Sequence, residues 1–318
     1  MEHIRKAVER AKDDRVGGNL NMRQPHPPSD PHFGAVPPAA APAVAQDVTL
    51  DAAYLESKRI IAHDIADFRS RSFDMLRTQI LQSMDMRSWQ FLGITSATEG
   101  CGKSVVAVNL ALSIARQPER SVLLVDLDLQ KPQVANYLGL NCERGILSVL
   151  AGRASLQDVL VQARIRNGQA LVLPCESRTA NSSAWIASRA MSALLQDIKR
   201  SFANWTVVFD LPPTLASDDV ISILPRLDCV AFVVGAGTTT TEEIKECNKH
   251  LESAEIVRVI LNKAEDGNAS YYYSYPRPVG GARKEQSDAA KPLTPKPLAP
   301  KPVKSGRMSR LIKRLGER

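Results

Sequence analysis

The sequence predicts an α/β fold, a mostly parallel sheet with helices on both faces. Three observations predict it. Short apolar runs at 91–94, 121–128, 205–210, 227–234 and 256–261 read as buried strands, amphipathic stretches lie between them, and the runs end in Asp126, Asp128, Asp210 and Asn262. Strands that are apolar on both faces belong in parallel sheets clothed by helices. Ligands of such sheets gather at the carboxyl ends of the strands, where these polar residues fall.

Composition sets the bounds. The chain has 318 residues, 44% of them hydrophobic, enough for a substantial core. The formal charge of +7 is concentrated at one end: from Arg277 onward there are 12 Lys/Arg against 3 Asp/Glu, so the rest of the chain is close to neutral. The five cysteines, Cys101, Cys142, Cys175, Cys229 and Cys247, show no CxxC or His pairing, which points to reduced thiols in the cytosol and away from zinc. No apolar run approaches the roughly 18 residues of a membrane span, so membrane contact is expected to be peripheral or through a partner.

In chain order, residues 1–16 read as a charged helix with Ile4, Ala7, Val8 and Ala11 along one stripe, and residues 17–47 as a linker rich in Pro and Ala. The folded body is expected over 48–268. It starts with a helix over 64–86 that buries Phe73, Leu76, Ile80 and Leu81, followed by the strand at 91–94. Beyond the strand at 121–128, residues 156–163 read as helix, 170–173 as strand and 188–202 as helix. The strand at 205–210 is closed by Leu211-Pro212-Pro213, and a helix over 242–251 links the last two strands. Residues 269–276 carry a cluster of tyrosines, Tyr271, Tyr272, Tyr273 and Tyr275; residues 277–306 form a Pro- and Lys-spaced linker, and 307–318 a basic amphipathic segment.

The site is organised around the first strand and the loop after it. Ala97 is followed by four residues and then Gly102-Lys103-Ser104, and an apolar-periodic helix begins at once. That is the pattern of a P-loop, and it makes the fold a P-loop NTPase type. Glycines let backbone N–H groups turn onto phosphates, the helix N-terminus adds partial positive charge, Lys103 supplies a mobile cation and the Ser104 hydroxyl can ligate Mg²⁺. Thr98, Glu99, Gly100, Cys101, Gly102, Lys103, Ser104 and Val105 are the candidate nucleotide-binding segment, with ATP and Mg²⁺ as cofactors. Ser104, Asp126 and Asp210 form a plausible shell for the metal. Phosphoryl transfer depends on positioning and charge neutralisation, so Lys103, Asp126 and Asp128 are the candidate catalytic set, Asp128 standing near the incoming hydroxyl. Each Asp has a plainer reading as an N-cap of the helix that follows it.

Leu76-Arg77-Thr78-Gln79-Ile80, the P-loop, Asp126-Leu127-Asp128 with Lys131-Pro132, Asp210-Leu211-Pro212-Pro213 and the tyrosine cluster together resemble the bacterial tyrosine kinase family, in particular the exosortase-associated tyrosine autokinases of exopolysaccharide loci. The resemblance implies a protein-tyrosine autokinase. It would use Mg-ATP to phosphorylate the C-terminal tyrosines of a neighbouring subunit in a homo-oligomer. A membrane adaptor of the polysaccharide chain-length and export system is the implied partner, and the cytoplasmic face of the cell membrane the implied location. Lys103, Ser104, Asp126, Asp128 and Asp210 would take the Walker A, A′ and B roles, and Asn262 would lie near adenine. The family's oligomerisation motif of Glu, Arg and Arg at three-residue spacing reads here as Arg71, Asp74 and Arg77. Gln130 also departs from the family's usual Arg, and Glu99 would repel phosphate unless it points outward.

Two other readings stand beside this one. A nucleotide-switch ATPase of the partitioning or cell-division-positioning kind would carry an additional Lys where this chain has Thr98. A regulatory subunit that binds nucleotide without turnover would account for Glu99, Gln130 and the Arg71/Asp74 reversal. Residues 307–318 could hold an anionic membrane surface through Arg307, Arg310, Lys313 and Arg314. Nucleic acid is not an expected partner, because no aromatic residue is interleaved in the tail beyond the tyrosines. Cys101, a thiol at a helix N-terminus beside Lys103, could make nucleotide binding redox-sensitive.

Overall fold

A computed structural model of the chain describes Val44 and residues 46–264. The expected N-terminal helix and linker, the tyrosine cluster, the second linker and the basic segment lie outside the described residues. Strand β1 (Gln46–Thr49) opens the body slightly ahead of residue 48, and α1 (Ala52–Ser57) follows it. Next come α2 (Arg71–Arg87), β2 (Phe91–Ser96), α3 (Lys103–Ala115), β3 (Val122–Asp126) and the short helices α4 (Val134–Leu138) and α5 (Ile146–Leu150). Strands β4 (Val161–Ile165) and β5 (Gly168–Leu173) lead to α6 (Ser182–Ile186) and α7 (Arg189–Ser201). The chain then runs through β6 (Thr206–Asp210), α8 (Asp219–Ile223), β7 (Cys229–Gly235), α9 (Thr241–His250) and β8 (Ile256–Asn262).

The strands form one eight-stranded sheet in the order β1-β4-β5-β3-β6-β2-β7-β8, with every pair parallel except β4–β5. Helices α2 and α3 cover one face, over Ile80, Leu81, Met84, Val106, Leu110 and Ile114. The other face packs under α7 through Leu194, Leu195, Ile198 and Phe202. The expected α/β architecture is therefore present. The P-loop strand β2 sits between β6 and β7, and register places Asp126 of β3 directly beside Asp210 of β6.

Two expected elements differ. The helix expected over 64–86 starts only at Arg71, because Asp67 accepts the Arg69 N–H and folds residues 68–70 into a 3₁₀ turn first. The helix expected over 156–163 is absent: that stretch turns and then enters β4, which pairs antiparallel with β5 across Arg166 and Asn167. A short apolar run fits a helix and a strand equally well, and here the partner strand decides. With β1 added outside it, β4 becomes an interior strand.

The end of α1 has a bearing on the site. The Arg59 N–H donates to the Glu56 carbonyl at 2.9 Å and the Ile60 N–H to the Leu55 carbonyl at 2.9 Å, while Arg59 takes φ 63°. This is a Schellman cap with the buried pair Leu55 and Ile60 beside it, a position usually given to glycine. A side chain there costs on the order of 1 kcal/mol.

Candidate active site

The P-loop is shaped by its neighbours. Ser96 donates its hydroxyl to the Thr98 carbonyl at 2.8 Å, and Gly100 and Gly102 take φ 77° and 90°. Asn262, at the end of β8, donates from Nδ2 to the Cys101 carbonyl at 2.8 Å. A Cβ at Gly102 would meet that same Nδ2 at 2.3 Å, so the contact between β8 and the loop requires glycine. Cys101 is buried, with its Sγ 3.4 Å from Thr239 Oγ1. Burial acts to raise its thiol, but hydrogen bonding with Thr239 and Thr98 outweighs this and brings it below its ordinary value.

Lys103 opens α3 and carries the polar centre. Its Nζ donates to Asp128 Oδ2 at 2.7 Å and to Ser104 Oγ at 3.2 Å, and stands 3.5 Å from Asp210 Oδ1. Burial alone would depress the ammonium; Asp210 and Asp128 more than offset it, and Lys103 is pushed up to about 12. Asp126 accepts the N–H groups of Gln133 at 3.0 Å and Val134 at 2.9 Å, so it caps α4 while facing Asp210. Asp128 lies past the end of β3 and accepts the Lys131 N–H at 3.0 Å. Burial, and then the charge of Asp210, hold the Asp126 carboxyl well above the usual carboxylate range. Asp210 is raised too, by burial first, with Lys103 opposing.

Asp210 supplies the test of fit for Mg²⁺. Among the described residues its buried carboxylate oxygens close no well-formed hydrogen bond, the nearest donors being Lys103, 3.5 Å from Oδ1, and the Ser104 hydroxyl, which leaves acceptor capacity for a cation. No group of three or more His, Cys, Asp or Glu converges as a metal cage among the described residues. Mg²⁺ does not ask for one, since it is usually held by one or two carboxylates, waters and phosphate oxygens. Ser104 and Asp210 therefore fit the ion, with Asp126 adjacent.

The cleft has a volume of about 540 Å³ and is lined by Gly100, Gly102, Lys103, Ser104, Val105 and Asp128. Sequence reasoning missed its outer wall: Lys58 and Arg59 from the end of α1, Asn136 and Tyr137 around α4, and Lys263 after β8. The signal for the first pair was Asp51, which accepts the Tyr54 N–H at 2.7 Å as the N-cap of α1. A larger groove of about 820 Å³ along β1 and residues 138–141 lacks the lysine and carboxylates of the centre. Glu99 lies at the rim of the cleft with Lys131, its exposed carboxylate 2.6 Å from the Lys131 Nζ that matches its charge. Gln130 donates to Ser182 and Ser217 instead of reaching the cleft. Of the expected oligomerisation residues, Arg71 is exposed, whereas Asp74 accepts hydrogen bonds from Arg77, Ser113 and Arg116 within the same chain.

A family model described as AAA domain matches residues 90–253, half of the chain and all of the central site. The chain belongs to this AAA-domain family. The chain is 30% identical over 229 residues to EpsB of Ralstonia nicotianae, named as a candidate tyrosine-protein kinase, covering 71% of this chain and 30% of EpsB. It is 29% identical over 211 residues to the tyrosine-protein kinase YwqD of Bacillus subtilis, covering 65% of this chain and 86% of YwqD. The VpsO kinase domain superposes with a TM-score of 0.55 at 28% identity, over 62% of this chain and 97% of that one. The chain spans under a third of the length of the EpsB proteins it matches. The resemblance to bacterial tyrosine kinases is thus borne out. Among the described residues no helix is long and apolar enough to cross a membrane.

Proposed function

We propose that the protein is an ATP-dependent protein-tyrosine autokinase that transfers the γ-phosphate of ATP to Tyr271, Tyr272, Tyr273 and Tyr275 of a neighbouring copy. The observation that carries this reading is Lys103 held between Asp128 and Asp210 at the mouth of the P-loop. In the transfer, the tyrosine oxygen forms a bond to the γ-phosphorus as the bond to the β-phosphate bridging oxygen breaks, and ADP leaves. Asp128 takes the phenolic proton, and Lys103 exchanges its contact with Asp128 for phosphate oxygens whose charge it neutralises. Mg²⁺ bound at Ser104 and Asp210, beside Asp126, would supply further neutralisation of the phosphate charge. Thr98, Glu99, Cys101 and Val105 contribute loop backbone, and Asn262 holds the loop where adenine would lie. Glu99, whose charge Lys131 matches at the rim of the cleft, favours a working site over an impaired one.

The same reading places the protein in exopolysaccharide production and export, as a homo-oligomer beside a membrane adaptor on the cytoplasmic face, with Arg71 available to a neighbour and residues 307–318 against anionic lipid. The names of its relatives as tyrosine-protein kinases support the activity. Incubating full-length protein with labelled ATP, with the four cluster tyrosines intact or changed to Phe, tests it. Label on tyrosine in the first protein alone is the expected result; equal label in both removes the cluster as acceptor.

A further inference from the structure

We infer that Arg59 is a further nucleotide-binding residue, whose guanidinium pairs with the terminal phosphate of ATP from the end of α1. This rests on the nucleotide reading above and names a residue that no part of the P-loop pattern contains.

Three observations converge on Arg59. The first is backbone strain. Among the described residues only Arg59, Ser88 and Lys263 hold a positive φ without being glycine. Ser88 ends α2 and does not line the cleft, whereas Arg59 lines it together with Lys103 and Asp128. A side chain kept where glycine would be free of strain is a pointer to function.

The second is the way the turn is held. Buried Asn109 on the P-loop helix donates from Nδ2 to the Arg59 carbonyl at 3.1 Å, and its Oδ1 accepts the N–H groups of Ile61 at 2.8 Å and Ala62 at 2.9 Å. The turn carrying Arg59 is therefore tied to the helix that begins with Lys103.

The third is charge. Lys103 faces three carboxylates, Lys131 is matched by Glu99 at 2.6 Å, and Lys58 leans on the Tyr54 ring and Asn136. The Arg59 guanidinium has no carboxylate partner among the described residues. Lys263 also lines the cleft without a carboxylate partner among the described residues; its turn is tied through Asn262 to the Cys101 carbonyl of the loop, whereas that of Arg59 is tied to α3 itself. The P-loop lysine reaches the β- and γ-phosphates, so the terminal phosphate sits by Lys103 and Asp128 in the cleft that Arg59 also lines, and a guanidinium there is suited to add a second, bidentate contact to it.

The test is titration of the full-length protein with Mg-ADP and Mg-ATPγS, for the wild type and for Arg59→Gly and Arg59→Asn, two residues that accept the left-handed turn. The expected result is a loss of about 10-fold to 100-fold in ATPγS affinity, with less than about threefold change for ADP and no fall in melting temperature. Equal loss for both nucleotides, or loss for neither, overturns the role of Arg59 and leaves the nucleotide reading intact. A wild-type protein that binds neither nucleotide overturns both.

Discussion

The Lys103 ammonium lies 2.7 Å from Asp128 Oδ2, so the cation that should meet phosphate is held by the carboxylate that should take the acceptor's proton. Nucleotide entry and activation of Asp128 are then one event. Asp128→Asn should leave Mg-ADP affinity unchanged or higher, because Lys103 is freed and a like charge is removed from the phosphates. Phosphoryl transfer should fall by about 10²-fold to 10⁴-fold. Transfer at the wild-type rate in a quench-flow assay would show that Asp128 handles no proton.

Asp126 and Asp210 both hold protons more tightly folded than unfolded. A group raised in this way stabilises the fold below its unfolded value near 3.9, and that contribution is lost as pH rises through the folded value. The nucleotide-free protein should therefore melt at progressively lower temperature as pH rises above the unfolded carboxylate value. Asp210→Asn should flatten this dependence and raise the melting temperature most at the alkaline end of the profile. A parallel pH profile for the variant and the wild type would contradict the assignment.

Asn262 is the only contact described from β8 to the loop carbonyl of Cys101. Replacing it by Ala removes one hydrogen bond worth about 1 kcal/mol and frees the loop. Calorimetric titration should show nucleotide affinity weakened by about 5-fold to 10-fold while the melting temperature changes by only a few degrees. An unaltered affinity would make the contact incidental.

Asp74 is the one carboxylate shared by Arg77 and Arg116, and the Arg116 side chain is only 5% exposed. Removing Asp74 leaves two close guanidinium groups without a counter-charge at the end of α3. Asp74→Ala should cost about 2–3 kcal/mol in urea unfolding, and Asp74→Glu should recover part of it. If Asp74 instead serves chiefly between copies, the loss should vary with protein concentration.

The centre of the site was legible because its chemistry is local. Ala97 through Ser104 lie in one stretch, and Asp126 and Asp210 each end an apolar run, so strand pairing was enough to bring them together. Arg59 was not legible, since its place at the cleft depends on Asn109 gripping the turn from a distant part of the chain. Asp74 and Arg77 were read as part of an oligomerisation motif at helical spacing, and the grip of Ser113 and Arg116 on them within the chain could not be seen from that spacing. Residues 161–165 could not be told from helix until β5 and β1 supplied partners on either side.

The position of β2 has a consequence for synthesis. The strand that launches the P-loop pairs only with β6 and β7, both made long after it, so Ile94 waits for Asp210 and Thr95 for Phe232. Pairings so distant in sequence close late. A ribosome-bound chain that has passed Lys103 but not Gly235 carries every residue of the loop and still lacks its strand neighbours. The loop therefore gains the strand neighbours that fix its geometry only after most of the domain has been made.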